Sequence, residues 1–132
     1  MDLPSYMAIG DGFVTASKTE VHPLSIIEAM AMGLPILGLD EPGINDTIQD
    51  GVTGLLSPDD ISAFSVKRAY FIREHDLRHR LGQAARLAAE SYSIERTSRL
   101  VLAEYERLAV KTGKRGLVSK FLDRFISQWP KK

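Results

Sequence analysis

The chain has 132 residues, carries no formal net charge and contains no cysteine. This length allows one domain with a hydrophobic core, and the neutral balance gives no indication of nucleic-acid binding. The lack of cysteine excludes disulfides and thiolate metal sites, and no apolar run reaches the length of about 18 residues that a membrane-spanning helix needs. Because the first residues also lack the pattern of a secretory signal, we expect a cytoplasmic protein.

The predicted elements of residues 1–58 alternate between helices and short apolar strands. In chain order they are a helix at 2–9, a strand at 13–16, a helix that begins at Pro23 and ends at Gly33, a strand at 35–39, a short helix at 45–49 and a minimal strand at Leu55 and Leu56. Glycine and proline mark the turns between them. This alternation is typical of a parallel sheet with crossover helices, so we expect an α/β fold with a partial Rossmann-like sheet.

From residue 59 onward the pattern is helical. Asp59 and Asp60 are N-terminal capping residues for a helix at 61–73, and two further predicted helices cover 76–91 and the segment after Ser93. We expect the C-terminal helices of residues 59–110 to belong to the same domain as the sheet, and residues 111–132 to form a separate basic tail.

The predicted sheet is small. A doubly wound sheet usually has about five or six strands, whereas this chain offers three short ones. The pattern also begins with a helix rather than a strand. We therefore expect the chain to be the C-terminal piece of a longer protein.

Two glutamates flank the predicted start of the second helix. Glu20 lies in the preceding loop and Glu28 lies inside the helix, with seven residues between them. Proline is favoured as the first helical residue, so Pro23 would leave the amides of Leu24 and Ser25 among the free donors of the helix N-terminus. Free amides and the helix dipole together favour an anion such as a phosphate.

The carboxylates suggest what the rest of the ligand is. Carboxylates repel phosphate but accept hydrogen bonds from hydroxyl groups. A ligand with a diphosphate in its middle and hydroxyls at both ends is a nucleoside diphosphate sugar. We therefore expect Glu28 to bind the ribose, Glu20 to bind the sugar, and the helix amides to face the phosphates. Two glutamates at this separation also occur by chance, so the hypothesis depends on their place after a strand of a parallel sheet.

The segment from Ser17 to Asp60 reads SKTEVHPLSIIEAMAMGLPILGLDEPGINDTIQDGVTGLLSPDD. It resembles the donor-binding core of retaining glycosyltransferases of the GT-B class, in the large set called group 1 or family 4. The resemblance is close up to Asp60. From there to Leu108 the chain matches the family only in having helices. The positions that fit the family pattern are Ser17, Glu20, Pro23, Leu24, Glu28, Ala29, Met30, Ala31, Gly33, Pro35, Gly43, Gly51, Gly54, Leu55 and Leu56.

The resemblance implies roles for particular residues. Glu20 would contact the donor sugar and is the candidate catalytic residue, expected to position the sugar rather than to attack it. Glu28 would bind the ribose, and Ser17, His22 and Pro23 join the donor-binding residues. The family also implies retaining transfer to a hydroxyl acceptor, no metal or other cofactor, and an upstream N-terminal domain. This chain alone would then be an inactive fragment of a hexosyltransferase.

Val21 and His22 depart from the family pattern, in which glycine and an aromatic residue usually stand there. Val21 is β-branched and should avoid a positive φ, so this loop is expected to differ in shape from that of relatives. His22 either offers a ring nitrogen to the phosphate or sugar, or is a loop histidine without such a role.

Two other functions stay open at this point. One is a non-catalytic or degenerate GT-B-like nucleotide-binding module, against which the intact spacing of Glu20 and Glu28 argues. The other is a related GT-B phosphorylase or sugar-phosphate synthase, which only residues of the acceptor side would distinguish.

His75 and His79 stand four residues apart on a predicted helix, a spacing that can bind zinc. Arginines at 73, 78 and 80 would repel a cation, so we expect a solvated helix face and no metal. Lys18, next to the glutamate motif, is likewise expected to be solvated.

The tail of the chain is basic and amphipathic. Residues 111–132 carry seven basic residues and one acidic residue, a net charge of +6. The apolar residues of 115–129 form one stripe of a predicted helix. Two interpretations stay open: the helix lies on an anionic membrane surface at the inner face, or it packs on the missing N-terminal domain.

Overall fold

The computed structural model of the protein describes residues 3–111. Its helices are α1 (Leu3–Met7), α2 (Leu24–Ala31), α3 (Ile61–Arg73), α4 (His75–Ala89) and α5 (Ile94–Lys111), and its strands are β1 (Phe13–Val14), β2 (Ile36–Leu39) and β3 (Gly54–Ser57). A 3₁₀ turn at Glu90–Tyr92 follows α4. The chain divides into two compact units between Tyr92 and Ser93, so the sheet and α1–α4 belong to the first unit and α5 to the second.

The three strands form one parallel sheet in the order β1–β2–β3. Phe13 pairs with Ile36, and Leu37 pairs with Leu55. This confirms the predicted α/β fold with a parallel sheet. β1 is shorter than expected, because it ends at Val14, and β3 is four residues long rather than two.

Two apolar clusters cover the two faces of the sheet. The first, formed with α2 and α4, includes Ile26, Met30, Ile36, Leu56 and Ala85. The second, formed with α3 and α4, includes Leu37, Leu55, Phe71 and Leu81. Successive residues of β2 and of β3 fall into different clusters, so both faces are buried, as parallel sheets require.

Gly33 ends α2 as predicted. Its φ is +78°, and the Gly33 and Leu34 amides donate to the carbonyls of Met30 and Ala29 at 2.9 and 3.0 Å. This is the Schellman arrangement, which needs a residue with positive φ at this position. Gly82 of α4 lies against the turn, where a Cβ would stand 2.2 Å from the Gly33 carbonyl oxygen. Glycine at 82 therefore lets α4 pack closely on the end of α2.

The prediction of a short helix at 45–49 is wrong, because residues 42–47 form a series of turns. Gly43 has a φ of +83°, which no helical residue has. Two side chains also bond locally: Asn45 donates to Asp40 at 2.9 Å, and Asp46 accepts from the Gly43 amide at 3.2 Å. Such local hydrogen bonds compete with the helical pattern.

The second unit is described by α5. Glu104 and Arg107 on this helix form an ion pair at 2.5 Å. Among residues 3–111 no helix is both long and apolar enough to cross a membrane. Lys111, expected in a linker, is the last residue of α5. The rest of that linker and the predicted tail helix at 115–129 lie outside the described residues.

Candidate functional site

The candidate site lies at the edge of the sheet where the strands end. β1 ends at Val14, β2 at Leu39 and β3 at Ser57, and the segments that follow them leave the parallel sheet at the same edge. Ligands of open α/β sheets bind at this edge. Glu20 lies on the segment that follows β1, and Glu28 lies on the helix that comes next.

Glu20 is held by hydrogen bonds to its carboxylate and to its backbone. The Ser17 hydroxyl donates to Glu20 Oε1 at 2.7 Å, and the Glu20 amide donates to the Pro42 carbonyl at 3.3 Å. Ser17 is itself fixed, because its amide donates to Thr15 Oγ1 at 3.2 Å. Glu20 is half-buried, and its Oε2 has no partner among the described residues. The structure thus brings Ser17 and Glu20 together and leaves one carboxylate oxygen for a ligand.

Gly43 packs against the backbone of Glu20. A Cβ at position 43 would stand 1.7 Å from the Glu20 carbonyl oxygen and 3.2 Å from the Glu20 Cβ, and the φ of Gly43 is +83°. Glycine is therefore required here for two reasons, space and backbone conformation. The resemblance marked Gly43 as part of the family pattern, but its contact with Glu20 was not predicted. The adjacency of loops after neighbouring parallel strands is the feature that could have indicated it.

Pro23 is the N-cap residue of α2 rather than its first helical residue. Its φ of −78° and ψ of 76° are those of an inverse γ-turn, which the Leu24 amide closes by donating to the His22 carbonyl at 2.9 Å. The expectation that the Leu24 amide is a free donor is therefore wrong for this structure. The proline ring sets φ, and the observed ψ brings His22 within reach of that amide.

Ser25 supplies a free amide at the tip of α2. Its N–H has no acceptor among the described residues, whereas the Ile26 and Ile27 amides both donate to the Pro23 carbonyl at 3.0 Å. No side chain caps this helix. Ser25 is exposed, so its amide and its hydroxyl can both face a ligand.

Glu28 is exposed on α2 and shares a face with the tip. It follows Leu24 by four residues and Ser25 by three, and residues at these spacings are neighbours on a helix surface. The opposite face of α2 is buried through Ile26, Ala29 and Met30. An anion at the Ser25 amide would therefore have the Glu28 carboxylate one turn along the helix.

Val21 and His22 are both exposed in the loop before α2. No residue other than glycine has a positive φ within residues 3–111, so Val21 has the negative φ expected of a β-branched side chain. The role of His22 stays a prediction, since its ring has no hydrogen-bond partner within the described part of the chain.

Lys18 is not simply solvated, because its ammonium pairs with the Asp59 carboxylate at 2.6 Å. This pair joins the loop after β1 to the segment after β3. Hydrogen bonding and charge attraction from Asp59 raise the pKa of the Lys18 ammonium above its ordinary value. Both side chains are largely exposed, so water weakens the attraction.

A separate cleft of about 320 Å³ lies at the opposite edge of the sheet, where the strands begin. His75, His79 and Arg86 of α4 line one side of it, and Gly33 and Asp11 the other. Both histidines are exposed, in line with the predicted solvated face. Within residues 3–111 no group of three histidine, cysteine, aspartate or glutamate side chains is placed to hold a metal ion.

The fold is that of an α/β protein with a Rossmann-like parallel sheet, and the candidate site residues lie on segments that follow the carboxyl end of β1. The family model of glycosyl transferases group 1 matches residues 1–88. The chain therefore belongs to the group 1 glycosyl transferase family.

Similar proteins and solved structures are consistent with this family assignment. Sulfoquinovosyl transferase SQD2 of Arabidopsis thaliana is 36% identical over 95 residues, which cover 69% of this chain and 19% of SQD2. HepE of Anabaena, solved with UDP and glucose, has a TM-score of 0.72 at 20% identity, covering 79% of this chain and 29% of HepE. The C-terminal domain of LpcC, a group 1 family protein of Francisella tularensis, has a TM-score of 0.63 at 25% identity, covering 70% of this chain and 49% of that domain.

These likenesses confirm the predicted GT-B glycosyltransferase fold class. The chain spans about a fifth (19%) of the length of SQD2 and about half (49%) of the Francisella domain.

Proposed function

We propose that this chain is the donor-binding part of a retaining glycosyltransferase, and that it binds a nucleotide diphosphate sugar at the tip of α2. The observation that carries the proposal is the free amide of Ser25 at an uncapped helix N-terminus, with Glu28 one turn along the same helix. A helix tip of this kind favours a phosphate, and an exposed carboxylate nearby favours hydroxyl groups.

The binding mode assigns one part of the donor to each group. The diphosphate lies at the Ser25 amide and hydroxyl, the ribose hydroxyls donate to Glu28, and the sugar hydroxyls donate to the free Oε2 of Glu20. Ser17 contributes by fixing the Glu20 carboxylate at 2.7 Å rather than by touching the donor. HepE, whose fold this chain shares, was solved with UDP and glucose, and this supports a donor of the same chemical class.

The chemistry follows from where charge develops. Sugar transfer breaks the bond between the anomeric carbon and the diphosphate, so negative charge grows on the departing diphosphate. The partial positive charge of the α2 tip stabilises that charge, and this is the electrostatic contribution the chain makes to the transition state. Glu20 orients the sugar for transfer to an acceptor hydroxyl with its anomeric configuration kept. We propose that this part of the reaction uses no bound metal.

The test is a titration of the ¹⁵N-labelled chain with UDP, GDP and ADP and with their glucose derivatives, followed by amide chemical shifts. We expect the largest shift at Ser25 for all diphosphates. Shifts at Glu20 should appear only with the sugar derivatives. No shift at Ser25 with any of these ligands would contradict donor binding at this tip.

Two substitutions separate the proposed roles. Glu28→Ala should weaken binding of nucleoside diphosphates by about tenfold, which is roughly 1.4 kcal/mol and the scale of a lost hydrogen bond to a charged group. Glu20→Ala should leave nucleoside diphosphate affinity unchanged and remove the extra affinity of the sugar derivative. In a longer enzyme that carries this sequence, Glu20→Ala should also lower turnover strongly. Glu90→Ala, which removes an exposed carboxylate beyond α4, is the matched control and should change neither affinity.

The alternative function is a nucleotide-binding module without catalysis. One observation favours it: the Leu24 amide is used within the chain, so the α2 tip offers fewer backbone donors than expected. That module would bind diphosphates but would not distinguish them from their sugar derivatives, whereas the donor site does.

A further inference from the structure

The cleft of about 320 Å³ lies at the edge of the sheet where β1 and β2 begin. It is therefore at the opposite edge from the tip of α2, because α2 follows the carboxyl end of β1. α4 forms one wall of the cleft, and the turn from α2 to β2 forms the other together with the loop before β1. A recess of this volume is within the range of about 300 to 1,000 Å³ that small-molecule sites occupy.

One stripe of α4 directs hydrogen-bond donors to the cleft. His79, Gln83 and Arg86 follow one another at spacings of four and three residues, so they share a face of the helix. Each side chain offers at least one N–H, and the guanidinium offers five in a planar fork. None of the three has a hydrogen bond or an ion pair with another described residue. These donors are therefore available to a ligand.

Two further residues of α4 line the same cleft. Arg78 is anchored, because its Nη1 donates to the carbonyl of Phe71 at 2.9 Å and also to that of Ile72. This anchoring fixes a guanidinium charge beside the cleft. His75 lies 3.7 Å from the carboxylate of Asp76, a side chain that is fully exposed.

Arg86 has a simpler alternative role, which is to stabilise the end of α2. Its stem passes over Gly33 in the C-terminal turn of that helix, where a Cβ would stand 3.8 Å from Arg86 Cδ. A cation is favoured near the carbonyl end of a helix. The Arg86 guanidinium nevertheless donates to none of the described carbonyls, so its fork is not used by that turn.

The charges and donors of the cleft define the kind of ligand that fits. Among the described residues that line it, Arg78 and Arg86 carry +2 and Asp11 carries −1, a net charge of +1 with both histidines neutral. A recess rich in donors suits an anion with several acceptor oxygens. A phosphate ester has three such oxygens, and a guanidinium fork matches two of them. Asp11, on the other side, accepts hydrogen bonds from hydroxyl groups.

We propose that this cleft is a second ligand site, which binds a small phosphate ester that also carries hydroxyl groups. Arg86 binds the phosphate through its fork, and His79 and Gln83 add hydrogen bonds. Asp11 accepts a hydrogen bond from a hydroxyl of the ligand. The proposal does not depend on donor binding, because the tip of α2 lies at the other edge of the sheet.

The first measurement is a titration of the ¹⁵N-labelled chain with inorganic phosphate and with glycerol phosphate, followed by amide and histidine ring signals. We expect saturable shifts at the His79 ring and the Gly33 amide, with dissociation constants on the order of 1 mM. The Ser25 amide reports on the α2 tip separately, so failure at one site is distinguishable from failure at the other. Absence of shifts in the cleft, or shifts that sodium chloride reproduces at equal ionic strength, would overturn the proposal.

Arg86→Gln and Arg80→Gln are matched variants. Both remove a positive charge from α4, but Arg80 is exposed and does not line the cleft. Arg86→Gln should weaken phosphate binding about tenfold, the scale of a lost hydrogen bond to a charged group, whereas Arg80→Gln should leave it nearly unchanged. Equal losses in the two variants would show a general attraction to a basic helix and would contradict a site.

Arg86→Lys separates binding from the alternative role of Arg86. Lysine keeps the charge near the end of α2 but lacks the planar fork, so the variant should unfold in urea as the parent does and bind phosphate about fivefold more weakly. His79→Ala changes an exposed position and should also weaken phosphate binding without a loss of stability. Phosphate affinity equal to that of the parent in both variants would overturn the proposal.

Asp11→Ala tests the hydroxyl end of the site. The parent should bind glycerol phosphate about fivefold more tightly than inorganic phosphate, because Asp11 accepts a hydrogen bond from a glycerol hydroxyl. The variant should lose this preference and bind inorganic phosphate more tightly, since a repelling charge is gone. A preference that persists in Asp11→Ala would contradict the role given to this carboxylate and the class of ligand inferred from it.

Discussion

The N-termini of α2 and α3 both follow strands of the same parallel sheet. They differ in whether a side chain accepts a hydrogen bond from their free amides. At α3, Asp60 is the N-cap and its Oδ1 accepts from the Ala63 amide at 2.7 Å. At α2, Pro23 holds the N-cap position and no side chain caps the helix. A carboxylate precedes α2 as well, but Glu20 is bonded to Ser17 instead of to a helix amide.

The difference is the one expected if the α3 cap serves stability and the α2 tip serves the proposed donor binding. A capping side chain such as Asp60 contributes about 1 kcal/mol to helix stability by satisfying an amide. The α2 tip forgoes that contribution and keeps the Ser25 amide free, while Ser17 and the Gly43 loop hold Glu20 in place. An uncapped tip with the exposed Glu28 carboxylate one turn along the helix is suited to a ligand that combines an anion with hydroxyl groups.

The largest effect is expected from Gly43→Ala, which disturbs the loop contact that positions Glu20. The new Cβ would stand 1.7 Å from the Glu20 carbonyl oxygen, and alanine would have to keep a φ of +83°. Backbone strain and overpacking together should lower the free energy of unfolding by roughly 3 kcal/mol. Urea denaturation measures this loss.

Gly51→Ala is the control for Gly43→Ala. Gly51 also has a positive φ, +73°, but a Cβ there would meet nothing within 4 Å. It should therefore lose only the conformational part, about 1 kcal/mol. Equal losses at the two positions would show that the contact between Gly43 and Glu20 contributes nothing.

The next largest effect is expected when α2 is given the kind of cap that α3 has. In Pro23→Asp the new carboxylate would accept a hydrogen bond from a helix amide, and its charge would repel a phosphate. We expect UDP affinity to fall by about tenfold, roughly 1.4 kcal/mol, as measured by NMR titration. Pro23→Asn also opens the γ-turn and can cap the helix, but it brings no charge, so its loss should be smaller. If both variants bind UDP as the parent does, the α2 tip is not the phosphate site.

The sequence was sufficient to predict the sheet and most helix boundaries, because these depend on local patterns. Apolar runs bounded by glycine and proline predicted β2 and β3, and the Asp60 cap and Gly33 end were predicted from residue type alone. The helix expected at 45–49 failed because the positive φ of Gly43 and the local bonds of Asn45 and Asp46 are not visible as a hydrophobic pattern.

The site was predicted less completely, because its geometry depends on contacts between distant segments. Spacing and resemblance selected Ser17, Glu20 and Glu28, and the bond between Ser17 and Glu20 is consistent with that choice. The γ-turn at Pro23 depends on a single ψ angle, and the approach of Gly43 to Glu20 depends on how two loops meet. Neither quantity is encoded in residue type or in spacing.

A smaller effect is expected at the capped tip. Asp60→Ala removes the acceptor of the Ala63 amide, so the free energy of unfolding should fall by about 1 kcal/mol in urea denaturation. Asp60→Asn keeps a good capping side chain and should lose much less. UDP affinity should be unchanged in both, because α3 is a structural tip. A drop in UDP affinity as large as that of Pro23→Asp would remove the distinction between the two tips.

The smallest effect is expected for the ion pair that joins the loop before α2 to the segment before α3. Asp59 raises the pKa of Lys18, so whatever stability the pair gives is fully present below the ordinary lysine pKa and is lost as pH rises through the raised value. In an NMR titration, the Lys18 ammonium should lose its proton at a higher pH in the parent than in Asp59→Asn. Stability at neutral pH should be nearly the same in both, since the pair is exposed and screened by water and salt. Identical titration of Lys18 in the two proteins would show that the pair does not persist in solution, and the α2 loop would then be held by Ser17 and Gly43 without it.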